Sequence, residues 1–367
     1  MYLFTFFLLF FFAIDDVFLK KGNYKLALIL TAILWLIFHD GFRWGVGTDW
    51  KIYHDFFLNC LDNNTDKFEI GYNTMSKLVR ALTDHYSAFL ILHALIVYIL
   101  ISRSIIKYAV NPLLTIFLFY CLMLGYLGMN RQYISFAICI FSYQFIFKRK
   151  FIYFILCIFI ALLFHSSALL FIFAYFLHKK LKTKYIVTLL ILFFLISVSG
   201  IINKLPLNIF FLLSESIGDK ASFYKENQFL DTNIVFTVLA LLKRSIWIIL
   251  GIIFYKQIKN RDTYFDFFFN IYLVGTLIYI LFNNTLLQIV VSRGILYYNI
   301  GEVFLIPYIL TIFKNDITKK LMFVLIAIYG FLTIQKSINF YKVDLGVDIF
   351  RPYNSVFEDD TYDAMER

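Results

Sequence analysis

Apolar stretches long enough to cross a lipid bilayer recur along this 367-residue chain, from its second residue to about residue 335. A hydrocarbon core of ~30 Å takes ~20 apolar residues as a helix, and no water there receives unpaired backbone groups. A chain written this way folds as an all-α, polytopic membrane bundle. Its mean hydropathy is +0.77 and only 16% of its residues are charged, which excludes an ordinary soluble domain. The 46 Phe accompany abundant Ile, Asn, Lys and Tyr, the mark of a coding sequence rich in A and T rather than of an aromatic lining.

The apolar segments number twelve and lie near residues 2–19, 24–39, 87–106, 112–129, 131–147, 151–164, 166–178, 185–202, 234–255, 264–282, 295–313 and 320–335. Six basic clusters punctuate them: Lys20, Lys21 and Lys25; Arg103 and Lys107; Lys148, Arg149 and Lys150; Lys179, Lys180, Lys182 and Lys184; Lys256, Lys259 and Arg261; Lys314, Lys319 and Lys320. Two passes separate each cluster from the next. The positive-inside bias then places all six in the cytoplasm, gives about twelve transmembrane helices and leaves both termini on the outer face. The basic balance, +10 overall, therefore marks cytoplasmic loops rather than a nucleic-acid surface. The run from Tyr2 to Ile14 is as short as a signal-peptide core. No charged region precedes it and no small-x-small site precedes Asp15 and Asp16, so it reads as a first spanning helix.

Residues 151–178 lie between two basic clusters, so they must pass twice, with about 14 residues or ~21 Å of helix per pass. Short or broken spans of this kind are tolerated where protein or water surrounds them. They put His165-Ser166-Ser167 at a turn below the outer surface. The domain organisation is a single transmembrane domain over residues 1–335 with outer-face loops at 40–86 and 203–233, the second polar enough for a lid or a passive loop. A tail at 336–367 ends in Glu358, Asp359, Asp360 and Asp363, a solvated terminus. Within the first loop Ile70, Met75, Leu78, Val79 and Leu82 recur at three- and four-residue spacing, which predicts an amphipathic surface helix over 69–85.

Charges outside the basic clusters carry the functional signal. Phe42-Arg43-Trp44-Gly45-Val46-Gly47-Thr48-Asp49-Trp50 is a compact polar turn at the mouth of an apolar run. Arg43, Arg131 and Arg293 all fall at outer helix ends, with Asp49, Glu69 and His165 on the same side. Each alone could anchor a helix at the headgroups. Together they suit an anionic ligand, because the planar guanidinium fork matches phosphate oxygens bidentately. Lys243 and Arg244 are deeper, ~14–15 Å into the ninth span by helical rise. A charge there costs ~2.5–3.5 kcal/mol on insertion scales, so the pair needs a partner or a wet cavity. Glu302, ~10 Å into the eleventh span, is the expected partner in a structural ion pair. Cys60, Cys121, Cys139 and Cys157 have no metal-ligand spacing, and no cofactor motif or nucleotide-binding glycine loop is present.

Several blocks resemble the EpsG family of Wzy-like polysaccharide polymerases. They are Phe42-Arg43 with Gly47-Thr48-Asp49-Trp50 and Tyr53; Glu69-Ile70-Gly71-Tyr72; Asn130-Arg131-Gln132-Tyr133; Phe164-His165-Ser166-Ser167-Ala168; and Ser292-Arg293-Gly294 running to Pro307. Arg351-Pro352-Tyr353 adds a short tail feature. The resemblance implies a membrane glycosyltransferase-like bundle in the bacterial cytoplasmic membrane. It joins oligosaccharide repeat units carried on undecaprenyl pyrophosphate at the outer face, for an O-antigen, capsule or exopolysaccharide. A chain-length regulator and a flippase are the implied partners. On this reading Arg43, Arg131 and Arg293, with Lys243, Arg244 and Tyr53, bind pyrophosphate or sugar. Asp49 leads Glu69 and His165 as the base, and no metal is required.

Two other classes of protein use similar ingredients. A lipid-linked oligosaccharide flippase has cationic cavities and about as many spans, but should show two similar halves, and this chain shows no repeat. A membrane O-acyltransferase moves acyl groups with a His beside an Arg, whereas His165 sits in Phe-His-Ser-Ser. The expected ion pair has a direct test. Glu302→Arg combined with Arg244→Glu should restore the insertion and function that each single reversal removes, and a swap that rescues neither would count against the pairing.

Overall fold

The computed structural model describes residues 1–19, 24–62, 67–204, 222, 234–259, 264–283, 285–288 and 290–357. Most of the loop expected at 203–233, the acidic end of the tail, and Lys20, Lys21 and Arg261 lie outside the described residues. The chain forms two compact units. One comprises Met1–Leu169 with Phe313–Arg367, and the other comprises Leu170–Ile312.

The first unit contains α1 (Tyr2–Phe18), α2 (Lys25–Gly41), α3 (Trp50–Asn59), α4 (Ile70–Arg80), α5 (Tyr86–Tyr108), α6 (Pro112–Met123), α7 (Asn130–Phe141), α8 (Tyr143–Phe147) and α9 (Phe151–Leu162). A 3-10 helix (Ser166–Phe176) follows. The second unit holds α10 (Thr183–Ser199), α11 (Ile234–Ile253), α12 (Tyr255–Lys259), α13 (Phe265–Phe282) and α14 (Leu296–Leu310), and α15 (Asp316–Leu345) returns to the first. The architecture is all-α, and every apolar segment named above is helical over most of its length. Among the described residues, three helices are long and apolar enough to cross a membrane by length and composition: Tyr86–Tyr108, Phe265–Phe282 and Asp316–Phe340. The 3-10 helix rises ~2.0 Å per residue against ~1.5 Å for an α-helix, so its 11 residues reach farther than their number suggests.

In each unit basic residues of two clusters come together, Lys25 with Lys319 in the first and Lys180 with Lys256 in the second. In the first, Lys25 pairs with Asp16, and Asp16 accepts the Leu113 N–H at 2.7 Å. A carboxylate from α1 thereby meets the unsatisfied first amides of α6, where the helix dipole favours a negative charge. Lys319 donates to the Val17 carbonyl at 2.7 Å, bringing the start of α15 to the same place. The core between consists of α5 against α2 and α7, and α6 against α1 and α15.

The helix expected over 69–85 is shorter. The α4 helix stops at Arg80, and the Thr83 hydroxyl accepts the His85 N–H at 3.2 Å, a local turn that competes with helix continuation. Tyr72, Ser76 and Val79 face inward, whereas Ile70, Leu78 and Leu82 are exposed. The apolar periodicity thus splits between a packed face and an outward face.

Beyond α15, which runs past the end of its apolar stretch, the chain folds back. Arg43–Trp44 (β1) pairs antiparallel with Asn354–Ser355 (β2). Gly47 donates to the Ile349 carbonyl at 3.0 Å, and Val356 donates to the Phe42 carbonyl at 3.0 Å. Tyr353 donates to the His39 carbonyl, and Phe350 is fully buried. The polar turn is held from the other side by the link between α6 and α7, where Thr48 donates to the Leu127 carbonyl at 3.1 Å. Gly47 and Gly128 make that approach feasible, with φ of +115° and +100°. A Cβ on Gly128 would stand 2.4 Å from the Thr48 nitrogen, whereas one on Gly45 (φ +64°) would meet nothing within 4 Å. Gly128→Ala should therefore lower stability by about 2 kcal/mol or more, and Gly45→Ala by only about 1 kcal/mol. Melting midpoints of the detergent-solubilised variants check this, and equal shifts would remove the close approach as the cause.

Candidate functional site

The apolar run of α2 ends in His39, Asp40 and, past the helix, Arg43, all buried. Arg43 has no exposed surface. One guanidinium nitrogen holds the Asp40 carboxylate and the Asp40 carbonyl at 2.6 Å. The other donates to Asn130 Oδ1 at 2.7 Å. Asn130, the first residue of α7, donates in turn to the Tyr86 hydroxyl at 3.0 Å. Its carbonyl lies 3.0 Å from His93 Nε2, which fixes the proton of that ring on Nε2 because a carbonyl can only accept. Asp40, Arg43, Asn130, Tyr86 and His93 thus form one buried polar knot that ties α2, α5 and α7 together.

The next residue faces the other way. Arg131 retains 24% side-chain exposure, and so does its partner Glu69, whose Oε2 lies 2.6 Å from Arg131 Nη1. Arg131 Nε donates to the Tyr53 hydroxyl at 3.2 Å, and its guanidinium lies 4.3 Å from the centroid of Phe68. The ring steers the fork without consuming its donors. The other oxygen of Glu69 accepts the Ser166 N–H at 3.4 Å, which brings in the turn after α9. There the Ser167 N–H donates to His165 Nδ1 at 3.2 Å, and the Ser167 hydroxyl lies 2.7 Å from the same nitrogen. A backbone N–H can only donate, so Nδ1 accepts and His165 carries its proton on Nε2. In this tautomer the ring donates through Nε2 rather than accepting there. Gln132 Nε2 reaches the Ser167 hydroxyl at 3.4 Å.

Of the residues singled out in the sequence, Glu69, Arg131, His165 and Tyr53 are therefore brought together, with Arg43 enclosed directly behind them. Asp49 occupies the N-terminal boundary of α3, half-buried, and its carbonyl accepts the Tyr53 N–H at 3.2 Å. Beside Glu69 an open groove of about 470 Å³ runs between Ile70, Met75, Leu78, Leu92 and Leu163 and is almost wholly apolar.

Lys243, Arg244, Arg293 and Glu302 belong to the second unit. Arg244 Nη1 donates to Asn299 Oδ1 at 3.0 Å, and its guanidinium lies 4.5 Å from the Tyr279 ring centroid. Glu302 is buried on α14, one turn beyond Asn299, and Lys243 is exposed. Arg293 sits in a single π-helical turn, Val290–Gly294, a feature common where helices are bent for function.

Asp40 and His93 escaped the sequence reading. Both are polar residues inside apolar helical runs, and Asp40 stands three positions before Arg43, the spacing of neighbours on one helical face. That spacing was the available signal.

A family model described as the EpsG family matches residues 26–355, nearly the whole chain. No curated protein and no solved structure matches.

His54, on α3 and outside the helices read as spans, gives this region a pH dependence. It stacks on Trp50 at 4.7 Å and meets Trp44 and Tyr86 edge-on. Burial pushes its imidazole below the ordinary value, against a weaker upward pull from Asp55. The folded chain resists protonating this ring, while the unfolded chain protonates it normally. The stability it contributes is complete above the unfolded pKa and drains away as pH falls below it. The melting midpoint should decline from about pH 7 to about pH 5. His54→Phe, which keeps the packing, should flatten the decline, and an unchanged slope in that variant would clear His54.

Proposed function

We propose, from a chain that belongs to the EpsG family, that this protein is a membrane polysaccharide polymerase whose site is built on Arg131, Glu69 and His165. EpsG is a Wzy-like polymerase family, so the chain is an enzyme of polysaccharide assembly. The finer reading is a transferase that joins repeat units carried on undecaprenyl pyrophosphate. It works at the outer face of the bacterial cytoplasmic membrane, in a bundle of about twelve spans with both termini outside.

The observation that carries the reading is the partly exposed Arg131–Glu69 pair beside a His165 donor and an apolar groove. The reaction forms a bond from an acceptor hydroxyl oxygen to the anomeric carbon and breaks the bond from that carbon to the pyrophosphate oxygen. The hydroxyl proton must leave, and the pyrophosphate gains negative charge. Glu69 takes the proton, and Arg131 receives the developing charge with its planar fork. In the free enzyme the two neutralise each other. An incoming pyrophosphate competes for Arg131 and releases Glu69 to act as base. Glu69 takes precedence over Asp49 in this role because it is the carboxylate held against the cation. The His165 Nε2–H suits a phosphate or sugar oxygen, and Tyr53 aligns the guanidinium. The groove gives a lipid carrier an apolar seat next to its polar head.

Arg43 is the charged support behind this site, and Asn130 links the two. Within the second unit, Arg293, Lys243 and Arg244 are cations suited to a phosphate or sugar group, with Glu302 as the counter-ion of the inner pair. A chain-length regulator and a flippase would act on either side of this step.

Glu69→Gln should reduce polymerisation by roughly 10²–10⁴-fold and Arg131→Ala by a factor of about 10²–10³. Both should leave single repeat units on their acceptor in gels of surface polysaccharide. The reversed pair, Glu69→Arg with Arg131→Glu, should restore the ion pair and the fold but no polymer. Long polymer from the reversed pair, or from Arg131→Ala inserted at normal levels, would sink the assignment. Accumulation of lipid-linked units inside the cell on deletion of the chain would favour the flippase instead.

A further inference from the structure

At one end of the second unit α10 begins, α11 ends and α13 begins around a cavity of about 460 Å³. It belongs to none of the chemistry above. Lys180 and Lys256 lie on its wall together with one carboxylate, Asp266. That carboxylate is already engaged. The Tyr255 hydroxyl donates to Asp266 Oδ1 at 2.8 Å, and Asp266 occupies the first turn of α13, where the helix dipole favours it. Lys180 Nζ rests 4.0 Å from the Tyr255 ring centroid, which keeps this lysine on the wall.

The turn that carries Lys180 is held by a buried amide. Asn270, 2% exposed, donates to the Leu177 carbonyl and to the Lys179 carbonyl, each at 2.7 Å. Thr183 opens α10 on the same wall without a side-chain cap, so the positive end of that helix adds to the two lysines. Leu181, Ile186, Ile252, Ile253 and Phe269 supply the apolar part of the wall, which Gln257 and Asn270 also line.

We propose that this cavity binds an anionic phospholipid, with its phosphate between Lys180 and Lys256 and its acyl chains along Ile186 and Phe269. Cations at a rim where helices end, with hydrocarbon beside them, fit an amphiphile that carries a phosphate. A free phosphate would satisfy the lysines but leave the apolar wall wet. A zwitterionic lipid would cover that wall but set its own ammonium group against the lysines. The site is independent of the polymerase reading, since none of its residues takes part in that reaction.

The test uses the full chain in detergent, titrated with dioctanoyl phosphatidylglycerol, dioctanoyl phosphatidylcholine or inorganic phosphate, and read by native mass spectrometry and thermal shift. Phosphatidylglycerol should bind about 10-fold or more tighter than phosphatidylcholine and should raise the melting midpoint, whereas inorganic phosphate should not. Lys180→Gln with Lys256→Gln should weaken phosphatidylglycerol roughly 25-fold, about five-fold per lysine, without altering phosphatidylcholine binding. Lys182→Gln with Lys184→Gln, in the same cluster but off the wall, should change it less than about two-fold. Three outcomes would overturn the proposal. Equal binding of the two lipids would mean an unselective hydrophobic surface. Equal losses in the two double variants would mean a diffuse basic patch. Inorganic phosphate binding as tightly as the lipid would mean a simple anion site.

Discussion

Arg43 holds its charge where water does not reach, and a buried guanidinium survives only when fixed partners replace its hydration. Asp40 supplies the opposite charge and Asn130 a neutral acceptor. Because these partners come from α2 and α7, and Asn130 also engages Tyr86 and the neighbourhood of His93 on α5, no one of the three helices can move alone. Removing one member would strand a buried charge, a loss of about 3–5 kcal/mol in comparable pairs. The geometry of the exposed site is inherited from this constraint. Arg131 follows Asn130 directly, so once Asn130 is locked the helical rotation of ~100° per residue sets where Arg131 points.

Two arginines on neighbouring elements therefore do different physical work. Arg43 is enclosed and immobile, and its energy goes into alignment. Arg131 remains a quarter exposed and pairs with a carboxylate that is equally accessible. An ion pair that keeps a quarter of its surface in solvent contributes less to stability than an enclosed one.

The helical segments were legible in the sequence because a bilayer demands long apolar runs, and the structure places a helix over each. The break at His165 was expected because a single pass between its two flanking basic clusters would put one of them outside, and the helix that starts at Phe151 does end at Leu162, with a 3-10 helix starting at Ser166. Glu69, Arg131 and His165 stood out as charges lacking a topological reason. Their grouping was not legible, since it depends on contacts between residues 62 or more positions apart. Asp40 was hidden for a different reason. An acid at the end of an apolar run has no periodicity, and its three-residue spacing from Arg43 is the one hint of its purpose. The inward face of α4 was misleading because this helix carries apolar residues on its exposed side as well as its packed side, so periodicity alone does not tell which side packs. The β1–β2 pairing was invisible because two-residue strands carry no pattern.

That last pairing has a consequence for how the protein is made. Phe42 and Gly47 exchange backbone hydrogen bonds with Val356 and Ile349, partners synthesised about 300 residues later. Helices entering a membrane one after another can settle as they emerge, but the arginine-bearing turn must wait for the end of the chain before its last hydrogen bonds close. A turn translated early is thus among the last elements to be finished. Closure of the arginine-bearing turn is tied to the synthesis of residues 349–356, so a chain that stops before them holds the turn open.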